Sequence, residues 1–246
     1  MSAKAVVTGG TRGVGLAVAR RLCADGTDVL LVYGHSDADA KHALDALTGL
    51  PGTVTAVRAD LTAPAGVVRV LGEVRETWGA LDVFVHAAAQ RRPSAGPRVS
   101  LRDVRDDLAL ALAPLLAGVP VLTDLMAGRP GRVVAVSSAG AGQVVPSYLT
   151  QGVAKAALES LVRYLAVELA PAGITVNAVS TSKIDKGAGG EGPAHVAAAL
   201  AARTPAGRLT TADDIADAVA LLCRPDAGWI HGQVVTVDGG LSLVAG

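Results

Sequence analysis

The sequence predicts an α/β fold in which helices flank a seven-stranded parallel sheet. Short runs of Val, Ile and Leu alternate with longer Ala-rich segments of helical spacing, as expected for parallel strands joined by crossover helices. The runs are apolar throughout, which is typical of strands covered on both faces. The 246 residues contain no linker and no internal repeat, so residues 1–246 are expected to form one domain.

The predicted elements follow one another in a regular β-α alternation. Strands are expected at residues 5–8, 29–33, 54–59, 83–87, 132–137, 174–179 and 234–237. Helices are expected near residues 13–25, 38–48, 65–77, 101–126, 148–170 and 211–223. Such an order indicates right-handed crossovers that place helices on both faces of the sheet.

One segment, residues 182–208, interrupts this alternation. It carries five glycines and two prolines around a short Ala-rich helix expected at residues 194–202. Long irregular insertions in compact domains often cover a binding site, so we predict a substrate lid here. A disordered surface loop is the alternative interpretation.

Composition excludes several classes of function. The 22 basic and 22 acidic side chains leave no surplus of cations for phosphates, which argues against nucleic acid as a partner. Cys23 and Cys223 have no further ligand at metal-binding spacing, so neither a metal site nor a disulfide is expected. The most apolar stretch, residues 108–126, is broken by two prolines and an aspartate, which indicates a covered helix and no membrane span. With no cleavable signal pattern at its start, the protein is expected to be cytoplasmic.

A glycine-rich loop stands between the first predicted strand and the first predicted helix. It reads Thr-Gly-Gly-Thr-Arg-Gly-Val-Gly over residues 8–15. Glycines let the backbone approach a pyrophosphate, and a helix N-terminus presents free N–H groups and a partial positive charge. A tight structural turn is the alternative, but the flanking strand and helix favour a dinucleotide site. The candidate cofactor-binding residues of the loop are Thr8, Gly9, Thr11, Arg12, Gly13 and Gly15.

The end of the second strand indicates which dinucleotide is bound. An NAD site calls for a carboxylate there to bind the ribose 2′-hydroxyl. The stretch 32–36 has no acid, and the first one is Asp37. Arg12 can face a 2′-phosphate, although an exposed loop cation is the alternative, and His35 is a further candidate contact. We therefore expect NADPH in preference to NADH.

These motifs resemble the short-chain dehydrogenase/reductase family, which has a Rossmann-type, doubly wound fold. The loop is similar to the family's Thr-Gly-x-x-x-Gly-x-Gly, and Asp60 with Leu61 is similar to the pair that contacts adenine. Asn177-Ala178-Val179 and the tail 230–240 are also similar to family signatures, so the resemblance covers nearly the whole chain.

Two motifs depart from the family pattern. The usual Asn-Asn-Ala-Gly after the fourth strand is His86-Ala87-Ala88-Ala89 here, and the resemblance assigns Ala87 and Ala88 to the cofactor wall. The usual Pro-Gly after the sixth strand is replaced by Thr181 and Ser182. Small residues at 87–89 still permit close approach of a cofactor.

The expected proton donor is displaced along the chain. Ketone-reducing members of the family carry Tyr-x-x-x-Lys, but the residue four before Lys155 is Gln151, whose amide does not titrate. Tyr148 stands seven residues before Lys155. In a helix, seven steps bring two side chains to within ~20° of each other and ~10 Å apart along the axis. An aromatic that covers the helix start, with Ser147 as its N-cap, is the alternative role for Tyr148.

The longer spacing suits reduction of a conjugated double bond. Hydride then reaches the β-carbon of an enoyl thioester, and the hydrogen-bond donor must reach a more distant carbonyl oxygen. The Tyr-x6-Lys spacing, with the runs 155–159, 163–169 and 204–208, resembles the NADPH-dependent type III enoyl-acyl carrier protein reductases. This resemblance implies that Tyr148 is the donor and that Lys155 binds the nicotinamide ribose. Ser138 occupies the place of the catalytic serine, with a turn-forming serine as the alternative, and Leu110 stands near the family's active-site Asn.

Partners are expected from charge and from the resemblance. Arg91, Arg92, Arg98, Arg102 and Arg105 follow the fourth strand and suit docking of an acidic acyl carrier protein, although nearby aspartates favour a solvated face. The apolar tail, residues 234–244, suggests a subunit interface by resemblance to family tetramers. The alternatives to an enoyl reductase are a carbonyl reductase of specialised metabolism and a dinucleotide-binding protein without redox activity.

Overall fold

Seven parallel strands form one sheet in the computed structural model, which describes residues 2–90, 94, 99–185 and 194–244. The strand order is β3-β2-β1-β4-β5-β6-β7, so the chain reverses direction across the sheet between β1 and β4. Ligands of such sheets bind outside the carboxyl ends of the strands, at this switch point. The strands are β1 (Lys4–Thr8), β2 (Asp28–Tyr33), β3 (Val54–Arg58), β4 (Val83–His86), β5 (Gly131–Val136), β6 (Ile174–Ser180) and β7 (Val234–Thr236).

Helices cover both faces of the sheet. They are α1 (Gly13–Ala24), α2 (Asp37–Leu47), α3 (Pro64–Trp78), α4 (Leu101–Leu116), α5 (Val119–Leu125), α6 (Leu149–Leu169), α7 (Ala194–Arg203) and α8 (Ala212–Cys223). Two apolar clusters form the core, one on each face of the sheet. Phe84 and Leu158 belong to the first, and Leu31 and Ile215 belong to the second. The predicted α/β fold with a seven-stranded parallel sheet is confirmed.

The helix predicted at residues 101–126 is wrong in one respect, because the structure divides it into α4 and α5. Gly118 separates them, and a Cβ atom at this position would lie 2.4 Å from the carbonyl oxygen of Pro114. Pro120 then sits in the first turn of α5, where its missing N–H costs nothing. By length and composition alone the stretch Leu101–Leu125 could cross a membrane, but Leu115, Leu122 and Leu125 lie in the core.

The segment predicted as a lid is anchored on both sides of its glycine-rich part. Ile184 pairs with Thr210, and the Asp185 N–H donates to the Thr210 carbonyl at 2.8 Å. After α7, the Ala206 N–H donates to the Gly239 carbonyl at 3.1 Å. The predicted helix at 194–202 is confirmed as α7, whereas Gly187, Gly189, Gly190, Gly192 and Pro193 lie outside the described residues.

Candidate active site

The glycine-rich loop is shaped for close approach of a ligand to its backbone. Gly9 and Gly13 have positive φ, at 66° and 54°, a conformation that favours glycine. A Cβ atom at Gly15 would lie 2.1 Å from the Gly9 carbonyl oxygen, so no larger residue fits there. Arg12 is the N-cap of α1, and no side chain caps the helix, which leaves its first N–H groups for an anion.

Charged side chains meet at the ends of β2 and β3, where the adenosine ribose of a dinucleotide is expected. Arg12 is exposed and lies 4.0 Å from Asp39. Asp37 accepts a hydrogen bond from the Tyr33 hydroxyl at 2.9 Å and lies 3.7 Å from Arg58. Both aspartates therefore have positive or donor partners. His35 lies beside this group, exposed in the turn that follows β2.

Asp60 and Leu61 follow β3 in different environments. Thr62 donates two hydrogen bonds to Oδ1 of Asp60, at 2.7 and 2.9 Å, and these bonds lower the pKa of the Asp60 carboxyl. The side chain of Leu61 is buried in the core, only 6% exposed. Any contact between Leu61 and a cofactor would therefore involve its backbone.

The cofactor wall is tied to the glycine-rich loop through Thr8. Its hydroxyl oxygen accepts from the N–H groups of Ala87 and Ala88, at 3.2 and 3.3 Å. The same hydroxyl lies 2.8 Å from Nδ1 of His86. Because the Thr8 oxygen already accepts two hydrogen bonds, its hydroxyl proton is donated to Nδ1 of His86. The neutral imidazole then carries its own proton on Nε2.

His86 lies behind the wall that Ala87 and Ala88 form, and it is fully buried. Burial, followed by the charge of Lys155, lowers the pKa of His86 to about 3. The carbonyls of Ala111 and Leu110 lie near the ring and partly offset this lowering of the pKa. Neither carbonyl meets the geometry of a hydrogen bond with Nε2. Pro114 lies inside α4 and has no N–H to donate to the Leu110 carbonyl one turn earlier.

Tyr148 lies against the end of β5. Its ring packs over Gly140, where a Cβ atom would come within 2.6 Å of the ring, and it also touches the position of Gly152. Burial and the charge of Asp107 raise the pKa of the Tyr148 hydroxyl, and a hydrogen bond with Ser138 opposes them. The structure thus brings Ser138 and Tyr148 together, and it keeps the phenol protonated at neutral pH.

The start of α6 differs from the prediction. Tyr148 itself is the N-cap, with φ −123° and ψ 18°, and its side chain makes no capping bond. Ser147 is not the N-cap, and its φ of 60° makes it the single non-glycine residue with positive φ in the described part of the chain. The direction of the phenol is therefore set by this turn, and the helical periodicity used in the prediction does not apply.

Ser94, from the connection between β4 and α4, holds this turn in place. Its N–H donates to the Ser147 carbonyl at 2.9 Å. Its hydroxyl oxygen accepts from the Thr150 N–H at 3.0 Å and from the Thr150 hydroxyl at 3.1 Å. Ser94 thereby supplies the capping hydrogen bond that the alternative role of Tyr148 would place at Ser147, and no local pattern in the sequence points to Ser94.

Lys155 is buried beside the end of β5. Its ammonium donates to the Val136 carbonyl at 2.6 Å. Burial lowers the pKa of Lys155 to about 8, while Glu159 and Asp107 oppose the shift. The ammonium thus titrates close to neutral pH, unlike that of an exposed lysine.

Three buried polar atoms among the described residues have no hydrogen-bond partner: His86 Nε2, Asp107 Oδ1 and Thr181 Oγ1. Asp107 lies on α4, and its charge raises the pKa of both Tyr148 and Lys155. Thr181 directly follows β6, and its carbonyl accepts from the Ala139 N–H at 2.9 Å, next to Ser138. Unsatisfied groups of this kind are expensive, so this edge of the sheet is the candidate reactive site.

Comparison with known proteins agrees with this fold. The family model described as Enoyl-(Acyl carrier protein) reductase matches residues 9–242. A 1-cyclohexenylcarbonyl-CoA reductase from Streptomyces collinus is 36% identical over 245 residues, covering 98% of this chain and 87% of that protein. A 3-oxoacyl-(acyl-carrier-protein) reductase from Escherichia coli is 30% identical over 242 residues, covering 98% and 97%. A short chain dehydrogenase from Burkholderia cenocepacia, solved in complex with NADP, has a TM-score of 0.88 at 31% identity, covering 98% of each chain.

Proposed function

We propose, since the chain belongs to the short-chain dehydrogenase/reductase family, that this oxidoreductase reduces the 2,3 double bond of an enoyl thioester with NADPH. The observation that carries the proposal is the seat of Tyr148 on Gly140, beside Ser138, at the start of the helix that carries Lys155. Gln151 stands where a ketone reductase of this family has its tyrosine.

The residues present fit a dinucleotide. A Cβ atom at Gly9 would lie 2.8 Å from Ala88 Cα and one at Gly15 would lie 2.1 Å from the Gly9 carbonyl oxygen, so both positions require glycine. The bare backbone and the helix N-terminus that follows it are what a pyrophosphate site needs. Arg12 is the basic residue for a 2′-phosphate, and the aspartates near it are engaged by Arg58, Tyr33 and Arg12 itself. Lys155 would hold the nicotinamide ribose. NADPH would supply the hydride that adds to the β-carbon, and solvent would supply the proton that then adds to the α-carbon of the resulting enolate.

Tyr148 would act on the thioester oxygen. A phenol held in its neutral form donates a hydrogen bond to an oxygen on which negative charge develops, and such preorganised donors stabilise the transition state. Because burial and Asp107 raise the pKa of Tyr148, the phenol keeps its proton over the neutral range. Ser138 would bind the hydroxyl, and Gly140 supplies the flat surface on which the ring lies.

The test follows NADPH consumption with crotonyl and longer enoyl thioesters, beside matching 3-oxoacyl thioesters and with NADH in parallel. We expect turnover of enoyl thioesters with NADPH. We also expect Tyr148→Phe to lower kcat by at least about 100-fold, as loss of one oxyanion donor does. Tyr164→Phe is the matched control, because Tyr164 lies on the same helix and is 69% exposed.

Other outcomes point to the alternatives. Turnover of 3-oxoacyl thioesters without enoyl reduction would identify a carbonyl reductase, to which the Ser138–Tyr148 contact is also suited. Binding of NADPH without turnover of either substrate class would identify a redox-inactive dinucleotide-binding protein.

Charge and the family resemblance support a proposal for the wider setting. We propose a cytoplasmic homotetramer with a lid at residues 182–208 that closes over the acyl chain. An acidic acyl carrier protein would dock near Arg102 and Arg105, which are exposed on α4. Arg91, Arg92 and Arg98, which complete the predicted docking patch, lie outside the described residues.

A further inference from the structure

A carboxylate is buried between α4 and α6. Asp107 is only 5% exposed, and it lies on the face of α4 that packs against the helix carrying Lys155. Its Oδ1 makes no hydrogen bond. Leaving a buried polar group unsatisfied costs on the order of 1–3 kcal/mol, and more for a charged one. A carboxylate therefore needs an electrostatic partner at this place.

That partner is the Lys155 ammonium, and the Tyr148 phenol lies within the same field. The charge of Asp107 raises the pKa of Lys155 against burial, and it also raises the pKa of Tyr148. Lys155 faces two further titratable groups, Glu159 one turn along α6 and His86 at the end of β4. Glu159 also accepts a hydrogen bond from the Ser137 hydroxyl at 2.6 Å, whereas Oδ1 of Asp107 has no such second partner.

We propose that Asp107 is a positioning residue of the reduction, which rests on the proposed function: its carboxylate supplies the negative charge that holds the Lys155 ammonium in the site. The short-chain dehydrogenase/reductase family has an active-site Asn on the helix that corresponds to α4, but Leu110 occupies that position in this chain. Asp107, three residues earlier and therefore on the same face of α4, places a polar group near the pair.

The first experiment measures the charge of Lys155 directly. The chain has five lysines, so NMR with isotope-labelled lysine side chains can resolve the titration of each in the protein without cofactor. We expect Lys155 to titrate near pH 8 in the wild type. Asp107→Asn, which removes the charge and keeps the shape, should lower that midpoint by at least about half a pH unit, because an opposite charge nearby favours the ammonium.

Variants of two other acids serve as controls for the Lys155 titration. Glu159→Gln should lower the midpoint as well, because Glu159 is the larger of the two opposing charges. Asp106→Asn, at the neighbouring position of α4, should leave it unchanged. An unchanged midpoint in Asp107→Asn, or an equal shift in Asp106→Asn, would overturn the proposal. If Asp107→Asn does not fold, Asp107→Leu replaces it, since a buried charge is often exchanged for an apolar side chain without loss of stability.

The second readout is cofactor affinity as a function of pH. Because Lys155 binds the ribose as an ammonium, NADPH affinity should weaken above about pH 8 in the wild type and at a lower pH in Asp107→Asn. At the wild-type midpoint, a shift of half a pH unit lowers the protonated fraction of Lys155 from one half to about one quarter, so we expect Asp107→Asn to bind NADPH about twofold more weakly than the wild type. The two titrations do not require substrate turnover, so they test Asp107 even if no enoyl thioester is reduced, an outcome that would reject only the proposed function.

Discussion

A neutral histidine is buried behind the cofactor wall, and it makes the stability of the protein depend on pH. His86 holds its Nδ1 against the Thr8 hydroxyl, and its pKa is lowered to about 3 by burial and by Lys155. In the unfolded chain the same imidazole titrates near pH 6.5. The unfolded state therefore binds more protons than the folded state between pH 6.5 and pH 3, and stability must fall as the pH falls through this window.

The prediction for this residue uses His86→Asn, the amide that the family motif carries at this position. The wild type should lose about 2–3 kcal/mol of unfolding free energy between pH 6.5 and pH 4.5 through His86, and the variant should lose correspondingly less. Denaturant unfolding at a series of pH values measures the difference in slope. His42→Asn, exposed on α2, should retain the wild-type slope. Equal slopes for wild type and His86→Asn would refute the argument.

The start of α6 depends on an element far away in the sequence. Ser94 caps the helix from the connection after β4, and Ser147 adopts the left-handed conformation that turns Tyr148 toward Ser138. Neither feature can be read from the local sequence, because the cap lies more than fifty residues away and Ser has no special preference for positive φ. The strands, in contrast, follow directly from their apolar runs, since both faces of a parallel sheet are buried.

The break between α4 and α5 shows the same limit at a second helix. Apolar spacing continues across it, so periodicity alone predicts one helix. The break falls where Pro120 has no N–H to donate to the Leu116 carbonyl one turn earlier, and Gly118 beside it permits the close approach of the Pro114 carbonyl. Likewise, spacing located Tyr148 and Lys155 but missed Asp107, because an acid in a helix with several charged residues reads as part of a solvated face.

Ser94→Ala removes the hydroxyl that holds the start of α6 in place. Removal of the hydroxyl leaves the buried Thr150 N–H without its acceptor, so we expect a loss of about 1 kcal/mol of stability. The tyrosine shifts with the helix start, and kcat should fall about tenfold or more while the KM for NADPH changes little, since small displacements of a reacting group are costly. Ser94→Thr should restore activity.

Ser100→Ala provides the control for that experiment. Ser100 caps α4 in a capping box with Asp103, and its removal should cost similar stability. Because Ser100 lies away from Tyr148, kcat should stay at the wild-type value. A parallel fall of kcat in both variants would mean that Ser94 acts only through stability.

The whole molecule presents exposed apolar side chains near its C-terminal end. Trp229 is fully exposed and Leu243 is 87% exposed, beside β7. Large apolar groups in water mark interaction sites in soluble proteins. These residues support the proposed tetramer, in which this end of each chain would meet another copy.

Light scattering tests the assembly. The wild type should have a mass of about 98 kDa, four chains of 24.5 kDa. Leu243→Asp should yield smaller species, because it places a charge in an apolar contact. Val68→Asp is the control, since Val68 is a half-exposed apolar residue on α3 and should leave the mass unchanged. A monomeric wild type would exclude the tetramer, and a tetrameric Leu243→Asp would place the interface elsewhere.

The bare backbone at Gly140 has a consequence for how such an enzyme can change over time. Its missing side chain forms the slot that receives the aromatic ring, and the cradle for the dinucleotide is built elsewhere, from β1 and α1. A single methyl group added at Gly140 would therefore displace the Tyr148 ring and leave the dinucleotide site unchanged. A change of one codon would thus yield an inactive protein that still binds its coenzyme. Such inactive relatives would be hard to recognise, because their glycine-rich loop would be intact.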